Sequence, residues 1–308
     1  MSIDRTPLVK IVMPGGRPVW VKDESACPTG TFKDRLASHA ATLFGARGVL
    51  NPETVISCIT LGNTLVSFAE YLLRRREAAN RPQLLGLFPS GFGRRTIGPD
   101  TEGRTVTGAA VLEELHGSGA HVLEYPLEAG FLGPEQIEGI ARGAGLRFER
   151  LIDVSYGIGE PAYEVILAEA LHELAGEHIK VVVVPVGAGV LFEECVALIE
   201  RERLPMRVMG ATTLAPQSIA DKLYAYYSPF FKTLTSEGRC LIQGADQQHV
   251  VECVADVDIL EALRQLAVRG ISAEPSAAAA FALLGRLPTD TPALVINTGN
   301  GLRLSRMI

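Results

Sequence analysis

The sequence has little of what marks several large classes of protein. Aromatic residues are 6% of it, with one tryptophan, and basic residues are outnumbered: 29 Lys and Arg stand against 35 Asp and Glu, for a formal net charge of −6. A nucleic-acid binder would need a basic face, so none is expected here. The five cysteines (Cys27, Cys58, Cys195, Cys240 and Cys253) are odd in number, and no pair has CxxC spacing. That speaks against a disulfide framework and against a zinc site, and reduced thiols suit the cytoplasm. No apolar stretch approaches the ~18–20 residues needed to span a bilayer. The opening MSIDRTPLVKIVMPGG has no apolar signal run. Together these absences predict a soluble, cytoplasmic protein with no metal, no nucleic acid and no membrane among its partners.

What is present points to a globular α/β chain. With 308 residues, 47% of them hydrophobic, it can bury a sizeable core and suits two domains of ordinary size. Short apolar runs alternate with longer helical patterns. Strands are expected at Val19–Lys22, Val55–Ile59, Leu84–Phe88, His121–Tyr125, Lys180–Val186, Val208–Thr212 and Ala293–Asn297. Helices are expected at Phe32–Phe44, Thr64–Arg76, Val106–Leu115, Tyr163–Ala175, Val190–Arg203, Ile259–Val268 and Ser276–Gly285. The run Lys180–Val186 is continuous and β-branched, as in a strand buried on both faces of a parallel sheet. Alternation of this kind argues for open parallel sheets covered by helices. No repeat or low-complexity tract interrupts it. Ser90–Thr105, rich in Gly, Arg and Thr, reads as a long loop of the sort that forms lids. The division expected is a smaller domain at 40–145, inserted between 1–39 and 146–308 of a larger one.

In open α/β sheets, ligands bind beyond the carboxyl ends of strands. Four segments sit there. In Lys22–Arg35 a strand runs through a Pro/Gly turn to Lys33 at a helix start, where the positive helix end favours a neutral, nucleophilic amine. Taken alone, this segment favours a solvated lysine in a helix's first turn. In Cys58–Thr64 a short polar turn precedes a helix; its N–H groups suit an anion such as a carboxylate, and Asn63 can either bond a ligand oxygen or cap the helix. Val184–Leu191 joins a buried strand to a helix through Gly187, Ala188 and Gly189, the general design of a phosphate cradle. It has neither the Lys-Ser/Thr ending of a P-loop nor a full GxGxxG fingerprint. Glu274–Ala278 and Asn297–Leu302 place further polar groups at turns, where Ser276 can cap and Asn300-Gly301 can turn.

Taken together, these segments resemble one family. Pro28-Thr-Gly-Thr-Phe-Lys-Asp-Arg35, Thr60-Leu-Gly-Asn-Thr64, Gly187-Ala-Gly189, Glu274-Pro-Ser276 and Thr298-Gly-Asn-Gly301, with Thr6-Pro-Leu8 before them, look like the motifs of the pyridoxal phosphate (PLP) enzymes of fold type II, the tryptophan synthase β superfamily. The Thr-Phe-Lys-Asp-Arg and Thr-Gly-Asn-Gly-Leu segments are most similar to threonine synthases. Departures are Cys27, Leu61, Leu65 and Ala188, and the Leu61 and Leu65 changes are expected to reshape the substrate pocket.

The resemblance implies two three-layer α/β/α domains with mostly parallel sheets, the cofactor pyridoxal 5'-phosphate in the cleft between them, and a homodimer. It implies Lys33 as the Schiff-base lysine that later moves the substrate α-proton. Asn63 would bond the PLP 3′-oxygen. Thr60, Leu61 and Thr64 would hold the substrate carboxylate, and Gly187, Ala188, Gly189 and Val190 would give N–H groups to the phosphate. Thr298 would face the pyridine nitrogen; a hydroxyl there leaves a weaker electron sink, suited to elimination and replacement. The activity implied is a PLP-dependent carbon–oxygen lyase or transferase, working by β- or γ-elimination or replacement on a small amino acid. Threonine synthase-like chemistry leads, with specialisation for a secondary pathway expected. Cysteine synthase-like β-replacement and serine/threonine dehydration are alternatives, and so is a family member that binds PLP or a partner without turnover. Arg94 and Arg95, in the expected lid, are candidates for an anionic substrate tail.

Overall fold

The computed structural model describes residues 3–99, 105–127, 132–155, 161–225, 239–243 and 248–301. Leu302, at the end of the last motif, and residues 100–104 of the expected lid lie outside them. In chain order the strands are β1 (Leu8–Met13), β2 (Arg17–Asp23), β3 (Thr54–Ile59), β4 (Gln83–Pro89), β5 (Thr96–Pro99), β6 (Thr105–Thr107) and β7 (His121–Tyr125). They continue with β8 (Arg150–Asp153), β9 (Val181–Pro185), β10 (Arg207–Thr212), β11 (Arg239–Gln243), β12 (Gln248–Cys253) and β13 (Ala293–Asn297). The helices are α1 (Lys33–Ala46), α2 (Asn63–Phe68), α3 (Gly108–Gly117), α4 (Pro134–Gly143), α5 (Glu164–Glu173), α6 (Val190–Glu202), α7 (Asp256–Val268) and α8 (Pro275–Ala282).

These elements form two units, one built on Cys27–Ala162, the other on Arg5–Ala26 and Tyr163–Asn300. The first holds a four-stranded sheet in the order β7-β4-β3-β8, with every pairing parallel. Its central strands β3 and β4 are buried almost end to end, while β7 and β8 at the edges are half-exposed. Burial on both faces is what a parallel sheet under helices requires, and it explains why the inner strands are the apolar ones. The second unit holds seven strands in the order β1-β2-β13-β9-β10-β12-β11. Its inner pairings are parallel, and the edge strands β1 and β11 run antiparallel to their neighbours. The valines of β9 are fully buried, and α8 packs on β9 and β13. Ala277, Ala278, Ala279 and Ala280 of α8 are all completely covered; small side chains let the helix lie close on the sheet. The chain is thus α/β with two mostly parallel sheets.

Several expected elements differ from what the chain forms. The helix expected at Val106–Leu115 starts at Gly108, because Val106 and Thr107 belong to β6, and the one expected at Ser276–Gly285 turns 3-10 from Leu283. The helix expected at Thr64–Arg76 starts at Asn63 and, from Ala69 to Arg74, winds as a π-helix. The described part of Ser90–Thr105 is not a plain loop: it contains a 3-10 turn at Phe92–Arg94 and β5, which pairs antiparallel with β6. No helix among the described residues is long and apolar enough to cross a membrane.

Candidate active site

In the first unit, Lys33 is the first residue of α1. The chain reaches it through a tight turn in which the Gly30 N–H donates to the Cys27 carbonyl at 2.8 Å, with Gly30 at φ +82°. The Lys33 Nζ stands 4.5 Å from the centre of the Phe32 ring, and the residue is half-buried. Its neighbour Asp34 is fully buried and turns back to latch the turn. The Asp34 carboxylate accepts the Thr29 N–H and the Thr29 hydroxyl, each at 2.7 Å, and Ser67 Oγ lies 3.0 Å from that hydroxyl. Burial pushes the Asp34 carboxyl above its ordinary range, and the hydrogen bonds from Thr29 and Ser67 offset part of the shift. Ser67 lies on α2, which packs against α1, so this latch also ties the lysine turn to the helix that follows β3.

That second helix begins with Asn63. At the end of β3 the Thr60 N–H donates to Leu87 O at 3.0 Å, and the Thr60 hydroxyl accepts the Gly62 N–H at 2.9 Å. Gly62 has φ +118°, a conformation that only glycine adopts without strain. The reversal places Asn63, 9% exposed, at the first turn of α2, with Thr60 buried and Leu61 and Thr64 half-buried. Leu65 is 1% exposed, and its Cδ2 covers Gly86 of β4, where an added Cβ would lie 2.3 Å away. Its side chain is core packing under α2. The expected reshaping of a pocket therefore rests on Leu61 alone.

A polar cluster with no signature in the sequence stands at the same ends of β3 and β8. Asp153 Oδ1 accepts the hydroxyls of Ser57 (3.0 Å) and Ser155 (2.7 Å), and Ser155 Oγ in turn accepts the Ile59 N–H at 2.8 Å. Burial raises the Asp153 carboxyl, and the serine donors work against that rise. The neighbouring Cys58 thiol is buried and pushed well above its usual range by burial and by Asp153, with the positive charge of Lys33 opposing. It is held as a thiol rather than as a nucleophile. Ser57 and Asp153 are 96 positions apart, so only the folded sheet reveals the cluster.

In the second unit, β9 leads through Val186–Gly189 into α6. Gly187 and Ala188 are half-buried, Gly189 sits at φ +100°, and Val190 opens the helix. Gly187 has no room for a side chain, since a Cβ there would meet the Lys222 carbonyl oxygen at 2.9 Å. Peptide N–H groups at the head of a thirteen-residue helix, with almost no side chain over them, suit an anion such as a phosphate. Thr298, buried, follows β13, the neighbour of β9 in the sheet. The structure thus groups the sequence-predicted residues in two sets: Lys33, Thr60, Leu61, Asn63 and Thr64 in one unit, and Gly187, Ala188, Gly189, Val190 and Thr298 in the other. Every one of them lies at or just beyond the carboxyl end of a parallel strand or at a helix start. Arg94 is exposed in its 3-10 turn, and Arg95 is half-buried. Among the described residues, no three His, Cys, Asp or Glu side chains gather as metal ligands would.

No family model and no curated protein matches the chain. Solved structures do. Serine racemase from Dictyostelium discoideum superposes with a TM-score of 0.69 at 19% identity, covering 97% of this chain and 94% of that one. The O-acetylserine-dependent cystathionine beta-synthase from Helicobacter pylori gives 0.67 at 19% identity, covering 99% and 95%. A pyridoxal 5'-phosphate-dependent aspartate racemase gives 0.66 at 16% identity, covering 99% and 93%. The fold of this chain is therefore that of the fold type II PLP enzymes. At such identities the likeness defines the fold, and the chemistry has to be argued from the site.

Proposed function

We propose that this chain is a PLP-dependent enzyme that acts on a small amino acid by β- or γ-elimination or replacement, in the manner of a threonine synthase. The observation that carries the reading is Lys33, at the head of α1 behind a turn latched by Asp34 and Thr29, in a chain with this fold. The residues present fit the cofactor. The cradle at Gly187 excludes a Cβ and leaves N–H donors for a phosphate, Thr298 offers a hydroxyl, and Asn63 an amide. When bound, PLP supplies an electron sink for the electrons released at the substrate α-carbon.

The chain's own residues do the rest. Lys33 Nζ would hold the cofactor and, when free, would take the proton from the substrate α-carbon. Asn63 would bond the ring 3′-oxygen. The Thr60, Leu61 and Thr64 backbone groups orient the substrate carboxylate. Gly187, Ala188, Gly189 and Val190 would hold the phosphate through their N–H groups, and Thr298 would face the ring nitrogen. A hydroxyl at that nitrogen favours loss of a β or γ leaving group over deeper carbanion chemistry. Cysteine synthase-like β-replacement is the second reading, favoured by the structural likeness to an O-acetylserine-dependent synthase.

Purified protein mixed with PLP is expected to show a visible absorption band that Lys33→Ala lacks. A wild-type protein without the band defeats the proposal. The holoenzyme is then screened for spectral change and for phosphate or ammonia release with O-phosphohomoserine, O-acetylserine, O-phosphoserine, serine and threonine. Phosphate release from O-phosphohomoserine supports the threonine synthase-like reading, and turnover of O-acetylserine alone supports the second.

A further inference from the structure

The second unit contains a buried ion pair that none of the roles above uses. Lys222 lies in the short 3-10 turn Asp221–Leu223 that follows β10, and Glu274 stands at the N-cap position of α8. The Lys222 ammonium donates to Glu274 Oε2 at 2.5 Å, with the two side chains only 19% and 9% exposed. Desolvation offsets most of what a buried pair gains by attraction, so such a pair is a poor device for stability alone. Its place in the fold is more telling. The Lys222 carbonyl oxygen lies beside Gly187, close enough that a Cβ there would sit 2.9 Å from it. The Glu274 N–H donates to Gly299 O at 2.9 Å, directly after Thr298, and the Glu274 carbonyl accepts the Ala278 N–H at 2.9 Å as α8 begins. The Thr212 hydroxyl donates to Leu223 O at 3.3 Å and holds the 3-10 turn to the end of β10. One pair, 52 residues apart in sequence, therefore joins three turns at the carboxyl end of this sheet: 187–189, 221–223 and 298–299.

We propose that Lys222 and Glu274 are a positioning pair, which holds the Gly187–Val190 turn and the Thr298–Gly299 turn in fixed register so that the phosphate donors and the Thr298 hydroxyl meet one rigid ligand. The inference rests on the PLP reading of these two turns. Neither residue needs to touch the ligand, because each acts through the backbone it fixes.

The test compares wild-type protein with Lys222→Met, Glu274→Gln and the charge-swapped double variant Lys222→Glu/Glu274→Lys. PLP affinity is measured by equilibrium dialysis, and the bound phosphate is followed by phosphorus NMR. Each single variant is expected to bind PLP about tenfold more weakly, since breaking a buried pair strands one charge. The phosphate resonance should move toward that of free PLP, while the visible band still forms at saturating PLP because Lys33 is untouched. The swapped variant is expected to regain most of the affinity. Single variants within about twofold of wild type with an unmoved resonance overturn the assignment, as does a swapped variant no better than either single change. Should Lys222→Met fail to fold, Glu274→Gln carries the test alone, since it keeps the side-chain shape at the head of α8. A wild-type protein without the band removes the PLP reading and this assignment with it. A wild-type protein with the band beside indistinguishable variants removes this assignment only.

Discussion

Replacing Gly86 by alanine should damage both the stability of the first unit and the seat of Asn63. Gly86 lies in the middle of β4, beneath α2. A Cβ at that position would stand 2.3 Å from Leu65 Cδ2 and 3.0 Å from Phe88 Cε2. Carbon atoms in a packed core rest about 3.5–4.0 Å apart, so Leu65 would have to retreat by roughly an ångström or more. Leu65 is 1% exposed and Phe88 is wholly buried, so neither has open space to move into. Because the obstructing atom ends a side chain rather than belonging to backbone, the cost should match moderate overpacking, about 1–3 kcal/mol. For units of this size that lowers Tm by roughly 2–4 °C per kcal/mol. Leu65→Ala alone should cost about 2–5 kcal/mol through the cavity it leaves. The double variant should be more stable than the sum of the two losses, since the alanine methyl at position 86 occupies part of that cavity, with a coupling of about 1–3 kcal/mol. Urea unfolding followed by circular dichroism gives all four stabilities. PLP titration of the same proteins shows whether Asn63, two residues ahead of Leu65, moves with it: Gly86→Ala should bind PLP more weakly, and the double variant should recover. Additive losses would refute the reasoning, because Leu65 would then not be what crowds position 86.

Other outcomes follow from single features. Gly108→Ala places a Cβ 1.9 Å from the Phe92 carbonyl oxygen; a backbone clash cannot relax as a side chain can, and the loss should exceed about 4 kcal/mol, read as poor soluble yield or a collapsed melting curve. Burial raises the carboxyls of both Asp34 and Asp153, so the folded chain holds those protons more tightly than the unfolded one. Their contribution to stability is fully present below the ordinary carboxyl pKa and is lost as pH rises through the raised values. Asp153→Asn keeps an oxygen for the Ser57 and Ser155 hydroxyls and should flatten the fall of Tm with rising pH on the acid side; an unaltered slope would count against it. Arg94→Ala should raise KM for O-phosphohomoserine and leave KM for serine unchanged. Equal KM values for wild type and variant with the phosphorylated substrate would end the idea that Arg94 meets an anionic tail.

The inner strands were legible because they are buried on both faces. Ala293–Asn297 falls where the apolar run places it, and β3, β4 and β9 differ from expectation by a residue or two at their ends. Edge strands were less so, although β7 falls at the expected His121–Tyr125. β1, β8 and β11 border their sheets, and the half-exposed, partly charged runs of β1 and β8 dilute the apolar signal. Helix α4 buries only Ile137 and Ala141, a short stripe in a mostly polar segment. The π-helical winding at Ala69–Arg74 is silent because a period of 3.6 residues does not separate it from an ordinary helix. The candidate site divides along the same line. Asn63, the Gly187–Gly189 turn and Thr298 could be picked out because each follows a strand within a few residues, and Lys33 because it opens a helix behind a Pro/Gly turn. The Asp153–Ser57–Ser155 cluster and the Lys222–Glu274 pair could not, since their members are brought together only by strand order. Asp34 lay in plain view beside Lys33, yet its role depends on Thr29, five residues back, and on a side chain from α2.

The Thr29–Asp34 latch bears on how this chain can be altered, whether by drift or by design. Both Asp34 oxygens are engaged by the turn that delivers Lys33, so positions 29 and 34 are a single unit of variation: a change at one removes the reason for the residue at the other. A library meant to change substrate preference should therefore leave 29 and 34 fixed as a pair and explore Leu61, which lies on the neighbouring turn and holds neither the latch nor the core.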